Sequence, residues 1–326
     1  MIAEDLAKWD AITDKSRFAF DAQWNDYFVD TVRAEMKKTN DGDRDIPALM
    51  AAVHSTENGR AFATMKYTES HDDAGNGQSR LNVEIDPGSG GTSWYAKKRS
   101  TLGAALALTA PGIPMLFMGQ EFLEDGWFDP NPDPLDWSKV TTYSGIWRLY
   151  HDAIRLRRNL DGVSAGLTGG FVNGFYSDST RKIGAFHRYA AGGEGDDVVV
   201  VFNARNQLQT DIEIGMPATG TWHCVFNSDW GCYDAAYGNA GRQVVEATGA
   251  GLHGLATRAD VDLPAYSMLI YSQAPPPAPA AAFIADMTNG PVGLTVRFFD
   301  RTVGAGTNWL WSFGDGGTSR AVNPAH

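Results

Sequence analysis

A histidine and an aspartate stand side by side at His71-Asp72, within Tyr67-Thr68-Glu69-Ser70-His71-Asp72-Asp73. They follow an extended-looking run, Ala61 to Lys66, and precede a glycine-rich loop, Ala74-Gly75-Asn76-Gly77. A strand that delivers an imidazole and a carboxylate into a loop is the pattern of a β/α-barrel active site, because barrel enzymes place reacting groups where strands end. Other chemistry-bearing sets are weaker. Asp41, Asp43 and Asp45 have the alternate spacing of a calcium loop. Ile46 stands where the turn glycine should be and Ala52 where the bidentate glutamate should be, so these acids read as a solvated loop and no metal site is assigned. Cys224 and Cys232 are too few for a disulfide scaffold or a four-cysteine zinc site. They either bridge across a short turn or stay as buried thiols. Arg155-Leu156-Arg157-Arg158 reads as a helix end.

The elements that must position His71 and Asp72 alternate strand and helix. Met1 to Asp5 reads as the end of a strand, and Phe18 to Trp24 as a second. Phe28, Val32 and Met36, four apart, mark one face of the helix that follows. Asp45 to His54 is a further helix with Pro47 in its first turn. After the His71-Asp72 strand comes a long helix from about Ser93 to Ala110, stopped by Pro111-Gly112. Ile113 to Glu121 is then an apolar strand expected to be buried on both faces. Tyr143 to Asn159 is a helix that turns Ile146, Leu149, Tyr150, Ala153 and Leu156 inward. Alternation of this kind implies a parallel sheet of α/β type. From Gly166 to Gln273 short strands and turn signals replace it, so a separate antiparallel β domain is expected. A stiff Pro/Ala-rich linker, residues 274–282, leads to a strand-like tail.

Composition limits the partners. The 326 residues are 43% hydrophobic and carry a net charge of −12 with a pI near 5.0, which argues against a nucleic-acid partner. The uncharged run Thr101 to Gly119 is cut by Pro111, Gly112 and Pro114, so it reads as a buried helix and strand and not as a membrane span. Met1-Ile2-Ala3-Glu4 lacks the form of a secretory signal. The 10 Trp, 11 Tyr and 16 Phe would suit stacking on sugar rings.

Ile2-Ala3-Glu4-Asp5, Glu69-Ser70-His71-Asp72 and Pro111 to Glu121, in that order, resemble the fifth, seventh and eighth barrel strands of the α-amylase superfamily, glycoside hydrolase family 13. The Ala-Glu-Asp and Glu-Ser-His-Asp forms are most similar to 1,4-α-glucan branching enzymes. Asn227-Ser228-Asp229, Tyr237-Gly238-Asn239 and Leu263-Pro264-Ala265-Tyr266-Ser267 are similar to the C-terminal sandwich of that group. The resemblance implies the C-terminal half of a TIM (β/α)8 barrel over 1–165 and an α-amylase-type β-sandwich over 166–273. It covers about residues 1–273. Trp309 to Ser319, with Asn323-Pro324-Ala325-His326, resembles the polycystic-kidney-disease (PKD) repeat, a small β-sandwich. Residues 283–326 would then be a truncated PKD-like module, poorly ordered alone because half a sandwich leaves an edge open.

The resemblance also implies roles. Retaining glycosidases and transglycosylases use a carboxylate nucleophile and, about 5 Å away, a second carboxyl that protonates the leaving oxygen. Glu4 would be that acid/base, Asp72 the carboxylate that grips sugar hydroxyls and stabilises the oxocarbenium-like transition state, and His71 a donor to the same sugar. The family's nucleophile is an aspartate on the fourth strand, and no residue here matches it. These residues would therefore be the C-terminal part of a longer enzyme, partnered by the missing N-terminal half of the barrel. Trp9, Trp94, Trp127 and Phe128 fall in loop-like stretches after the strands and could stack on a glucan acceptor. The implied substrate is an α-1,4-glucan such as glycogen, starch or maltodextrin. No cofactor is called for, although a structural calcium site elsewhere in the longer enzyme is left open. Branching, hydrolysis by an extracellular α-amylase, and non-catalytic glucan binding or surface adhesion are the readings carried forward. The PKD-like tail favours an extracellular or cell-surface location, whereas a glycogen enzyme would be cytoplasmic.

Overall fold

Four short strands, all parallel, carry the first part of the chain. They are β1 (Ile2–Ala3), β2 (Ala22–Trp24), β3 (Thr64–Lys66) and β4 (Ile113–Pro114), in sheet order β1-β2-β3-β4. The computed structural model describes residues 1–4, 9–129, 134–300, 302 and 309–326. Asp5 of the first motif lies outside them. Helices connect the strands: α1 (Asp26–Lys37) and α2 (Ile46–His54) between β2 and β3, α3 (Leu81–Ile85) and α4 (Trp94–Thr109) between β3 and β4. After β4 come α5 (Ser138–Thr142), α6 (Ser144–Arg157) and the single turn α7 (Ala165–Thr168).

The helix starts follow from side-chain caps. Asn25 accepts from the Phe28 amide at 2.8 Å, Asp45 from Ala48 at 2.9 Å and Ser93 from Ala96 at 3.2 Å, each satisfying an N–H that the first turn leaves without a partner. Phe28, Val32 and Met36 are buried, as are Ile146, Leu149, Tyr150, Ala153 and Leu156, so both helical stripes face the core. The acids with calcium-loop spacing have structural work. Asp45 is the cap of α2, and Asp41 pairs with Arg44.

Three strand expectations need correction. Only Ala22 to Trp24 of the second run is strand, because Ala19 takes a left-handed conformation (φ 57°) and turns the chain ahead of it. Ala61 to Ala63 is a 3-10 turn, and the strand begins at Thr64. The apolar run from Ile113 is strand for two residues only, and it is not buried on both faces: Ile113 to Phe117 are half-buried and Met118 is 52% exposed. Among the described residues β4 pairs with β3 alone, so its other side is an edge and its apolar side chains are only partly covered.

The β region is built from β5 (Phe171–Asp178), β6 (Ile183–Tyr189), β7 (Val198–Asn203), β8 (Gln209–Met216), β9 (Gly220–Asn227), β10 (Val244–Ala247), β11 (Thr257–Leu263) and β12 (Ser267–Ser272). Six of them form an antiparallel sheet in the order β10-β9-β12-β7-β6-β5, and β8 pairs with β11. β7 lies between β6 and β12, and all of its residues are buried, which explains the uninterrupted Val198-Val199-Val200-Val201-Phe202 run. Cys224 and Cys232 are buried thiols outside any disulfide, so the bridging alternative falls away, and burial pushes the Cys224 thiol up to about 12.

The chain divides into two compact units, Met1–Pro275 and Pro276–His326. The second holds two two-stranded ribbons, β13 (Phe283–Ala285) with β14 (Phe298–Asp300) and β15 (Trp311–Ser312) with β16 (Thr318–Ser319). Phe283, Phe298 and Trp311 meet edge-on or tilted, yet Phe283 stays 60% exposed.

Candidate active site

The ends of β1 and β3 bring Glu4, His71 and Asp72 together. His71 Nε2 lies 3.8 Å from Glu4 Oε1 and 3.5 Å from Asp72 Oδ1, and one ligand atom from each falls within 4.8 Å of the others. All three are open to solvent, with side chains between 41% and 43% exposed. Two carboxylates and an imidazole at this separation can grip neighbouring hydroxyls of one sugar and pass a proton to or from an oxygen between them. The same three atoms could also approach a divalent cation.

A buried frame holds the His71-Asp72 loop. The Arg33 guanidinium donates to the carbonyls of Thr68 (3.0 Å), Asp73 (3.2 Å) and Ser79 (2.8 Å). Glu69 accepts from the Leu81 amide at 2.7 Å and from Arg80 at 3.3 Å, and Arg80 also donates to the carbonyls of Met118 (2.9 Å) and Gly126 (3.2 Å). The loop after β3 is thus tied to the one after β4 by buried charge-assisted bonds. Asn76 donates to Asp72 Oδ1 at 2.6 Å and fixes its orientation. Gly75 is needed by space: a Cβ there would lie 2.9 Å from both the His71 and the Phe128 carbonyl oxygens.

Aromatic rings wall the site. Trp24, the last residue of β2, meets His71 edge-on at 5.9 Å, and Phe128 meets it from elsewhere at 6.2 Å. The Phe128 amide donates to Ala74 at 2.8 Å, and its ring leans on Phe117 at 5.6 Å. Sequence reading did not assign Trp24 a role. Its position at a strand end, level with Glu4 and His71, was the available signal. Trp127 is 46% exposed beside Phe128, and Trp9 is 60% exposed just ahead of a 3-10 turn, Asp10–Ile12. Trp94 needs correction. It is the first residue of α4 and not a loop residue, and its ring packs on Tyr95 (5.2 Å) and Tyr266 (5.9 Å), which do not belong to this site.

Residues 176–274 match the family described as alpha amylase, C-terminal all-beta domain. Relatives include a 1,4-α-glucan branching enzyme GlgB 2 of Xanthomonas campestris pv. campestris (strain 8004), 29% identical over 288 residues that make up 84% of this chain and 37% of the relative. The 1,4-α-glucan branching enzyme GlgB of Corynebacterium glutamicum is 30% identical over 217 residues, 62% of this chain and 28% of its own. The chain is similar to branching enzymes over most of its length and carries the α-amylase C-terminal domain at 176–274. In fold, its neighbours include an Anoxybacillus α-amylase (TM-score 0.56, 16% identity, 85% of this chain and 52% of that one). A pullulanase complexed with maltotetraose, from Anoxybacillus sp. LM18-11, gives a TM-score of 0.52 at 17% identity, covering 78% of this chain and 35% of that one. The chain therefore spans 37% of the length of the first of these branching enzymes and 28% of the second.

Proposed function

We propose that residues 1–165 are the C-terminal half of a (β/α)8 barrel, followed by the family's β-sandwich domain at 166–273, the 274–282 linker and a truncated PKD-like module at 283–326. In this reading the protein acts on α-1,4-glucan and builds 1,6-branches by retaining transglycosylation. Glu4 is the acid/base, Asp72 stabilises the transition state, His71 donates to the sugar, and the nucleophile comes from a strand outside these residues. The observation that carries the reading is the convergence of Glu4, His71 and Asp72 from the ends of two parallel strands that sequence separates widely. Likeness to branching enzymes makes α-glucan the substrate class. Trp24, Phe128 and Trp127 supply rings against which a glucan chain would lie.

The mechanism gives each residue one task. Glu4 first gives its proton to the leaving glycosidic oxygen, then takes one from the acceptor hydroxyl. Asp72, oriented by Asn76, draws on hydroxyls of the distorted ring as positive charge develops. The acceptor decides the reaction, since a 6-hydroxyl yields a branch and water yields hydrolysis.

The test has two arms. The 326-residue chain alone is expected to give no measurable turnover of starch or glycogen, and robust turnover would overturn the absent nucleophile. Co-expressed with the N-terminal remainder of a branching enzyme, it is expected to form products with new 1,6 linkages, seen by debranching them. A rise in reducing ends alone would replace branching by hydrolysis. Glu4→Gln in the complemented enzyme should lower turnover by at least 10²-fold, the low end of general acid–base catalysis. An unchanged rate would remove Glu4 from its role.

A further inference from the structure

A second cavity of the first unit, about 630 Å³, shares no lining residue with the site around His71. It lies between the α1–α2 connection, the exposed ring of Tyr95, the β5–β6 turn and the residues that follow β7. Its size is that of a small-molecule pocket, but its lining is polar throughout apart from the faces of Tyr95 and Tyr266.

The charges around it run against the acidic balance of the chain. Asp41 is the carboxylate in the lining, and it is fully engaged: Arg44 and the Tyr266 hydroxyl donate to Oδ1, and the Asn206 amide donates to Oδ2 at 2.7 Å. Its charge is balanced by Arg44 before any ligand arrives. Lys182 is buried and spends two of its N–H groups on neutral acceptors, the carbonyls of Gly42 (2.8 Å) and Arg44 (2.7 Å). No carboxylate among the described residues pairs with it or with the half-buried Arg205. Two cations thus face a polar cavity that holds no uncompensated anion, and an anionic ligand would complete it.

The other lining groups indicate what bears the anion. The exposed hydroxyls of Ser179 and Thr180 and the amide of Asn206, which donates to the Tyr95 hydroxyl at 3.2 Å, suit a polyhydroxylated ring. The exposed face of Tyr95 suits its C–H surface. We propose that this cleft binds a phosphorylated glucose unit, with Arg205 and Lys182 taking the phosphate and Ser179, Thr180 and Asn206 the sugar hydroxyls. The unit can arrive as a free sugar phosphate or as a phosphoryl group on a glucan chain. The inference stands apart from the catalytic reading, since it concerns binding by the chain as it is.

Isothermal titration of the full chain with glucose 6-phosphate, glucose and inorganic phosphate tests it. The sugar phosphate should bind saturably and at least tenfold more tightly than either part, and added salt should weaken it. Arg205→Gln should weaken binding tenfold or more. Thr180→Trp, which fills the cleft from an exposed turn without touching the core, should do the same. A maltotriose carrying one 6-phosphate, titrated in parallel, identifies a glucan-borne phosphate if it binds more tightly and a free sugar phosphate if it binds more weakly. The proposal is overturned if glucose 6-phosphate does not bind, if glucose binds as well, or if both variants bind like the wild type.

Discussion

At the scale of residues, the site depends on buried charges more than on the three groups that would meet a sugar. Glu69 and Arg80, whose side chains are 4% and 3% exposed, join the loops after β3 and β4 beneath His71 and Asp72. Glu69→Gln keeps an acceptor for the Leu81 amide but leaves Arg80 as a buried cation without its counterion. Breaking such a pair costs on the order of 3–5 kcal/mol. Urea unfolding should show a loss of that size, with maltotetraose binding weakened in the surviving folded protein. Unchanged stability would mean that the pair does not hold the loop. The neighbouring Gly75 illustrates what residue type alone conveys. Its place in Ala74-Gly75-Asn76-Gly77 signals a turn, but its close approach to the Phe128 carbonyl depends on a segment more than fifty residues later and has no local signature.

At the scale of elements, β3 delivers the His71-Asp72 loop, and its last residue, Lys66, is buried. Lys66 Nζ lies 2.7 Å from the carbonyls of both Ala52 and Val53, at the end of α2, and 3.1 Å from Ser55 Oγ. Burial, with Arg188 and Arg157 adding repulsion and Glu57 opposing them, pulls its ammonium from the ordinary lysine range down to about 6. The folded chain therefore releases a proton near pH 6 that the unfolded chain keeps until above 10. Between those limits the unfolded state binds more protons, so stability rises with pH, and below pH 6 the contribution is flat. Glu57, which burial first and Asp10 next push up to about 7, acts in the opposite sense below that pH. A comparison between pH 7.5 and 9.5 stays clear of it. The melting temperature should climb across this interval in the wild type and climb less in Lys66→Met. Equal slopes would show that Lys66 is charged when folded. The same elements show how far sequence could be read. Periodicity identified α1 and α6, each with one buried apolar face, whereas Pro47 marked the start of α2 and Pro111-Gly112 the end of α4, which is buried nearly all round. Periodicity overextended the strands after Pro111 and before Trp24, since an apolar run states that side chains avoid water and not that the backbone is paired. Lys66 could not be read as buried, because the carbonyls that accept from it belong to another element.

At the scale of the molecule, the parallel sheet of the first unit ends at β1 and β4 among the described residues. Beside β4 lies a groove of about 370 Å³ whose lining includes Leu116, Phe117, Met118, Trp147, Ile154 and Leu160, with Met118 52% and Leu160 48% exposed. In a closed barrel a neighbouring strand would cover this side, so the proposal that the rest of the barrel comes from outside these residues has a physical consequence for the chain on its own. Each strand edge is only two residues long, and Pro114 removes one donor, so backbone pairing is a weak drive to association. The apolar lining is the stronger one, because partial exposure of several large side chains in one groove favours burial against another surface. The isolated chain is therefore expected to self-associate or to unfold at low temperature, with an apparent mass in light scattering that rises with concentration. Met118→Lys, which charges the most exposed of those six side chains, should reduce the association without loss of helical signal. A wild-type sample that stays monomeric at high concentration and melts in one sharp transition would count against an open barrel half. It would leave the Glu4–His71–Asp72 geometry to be explained as a surface feature of a complete domain.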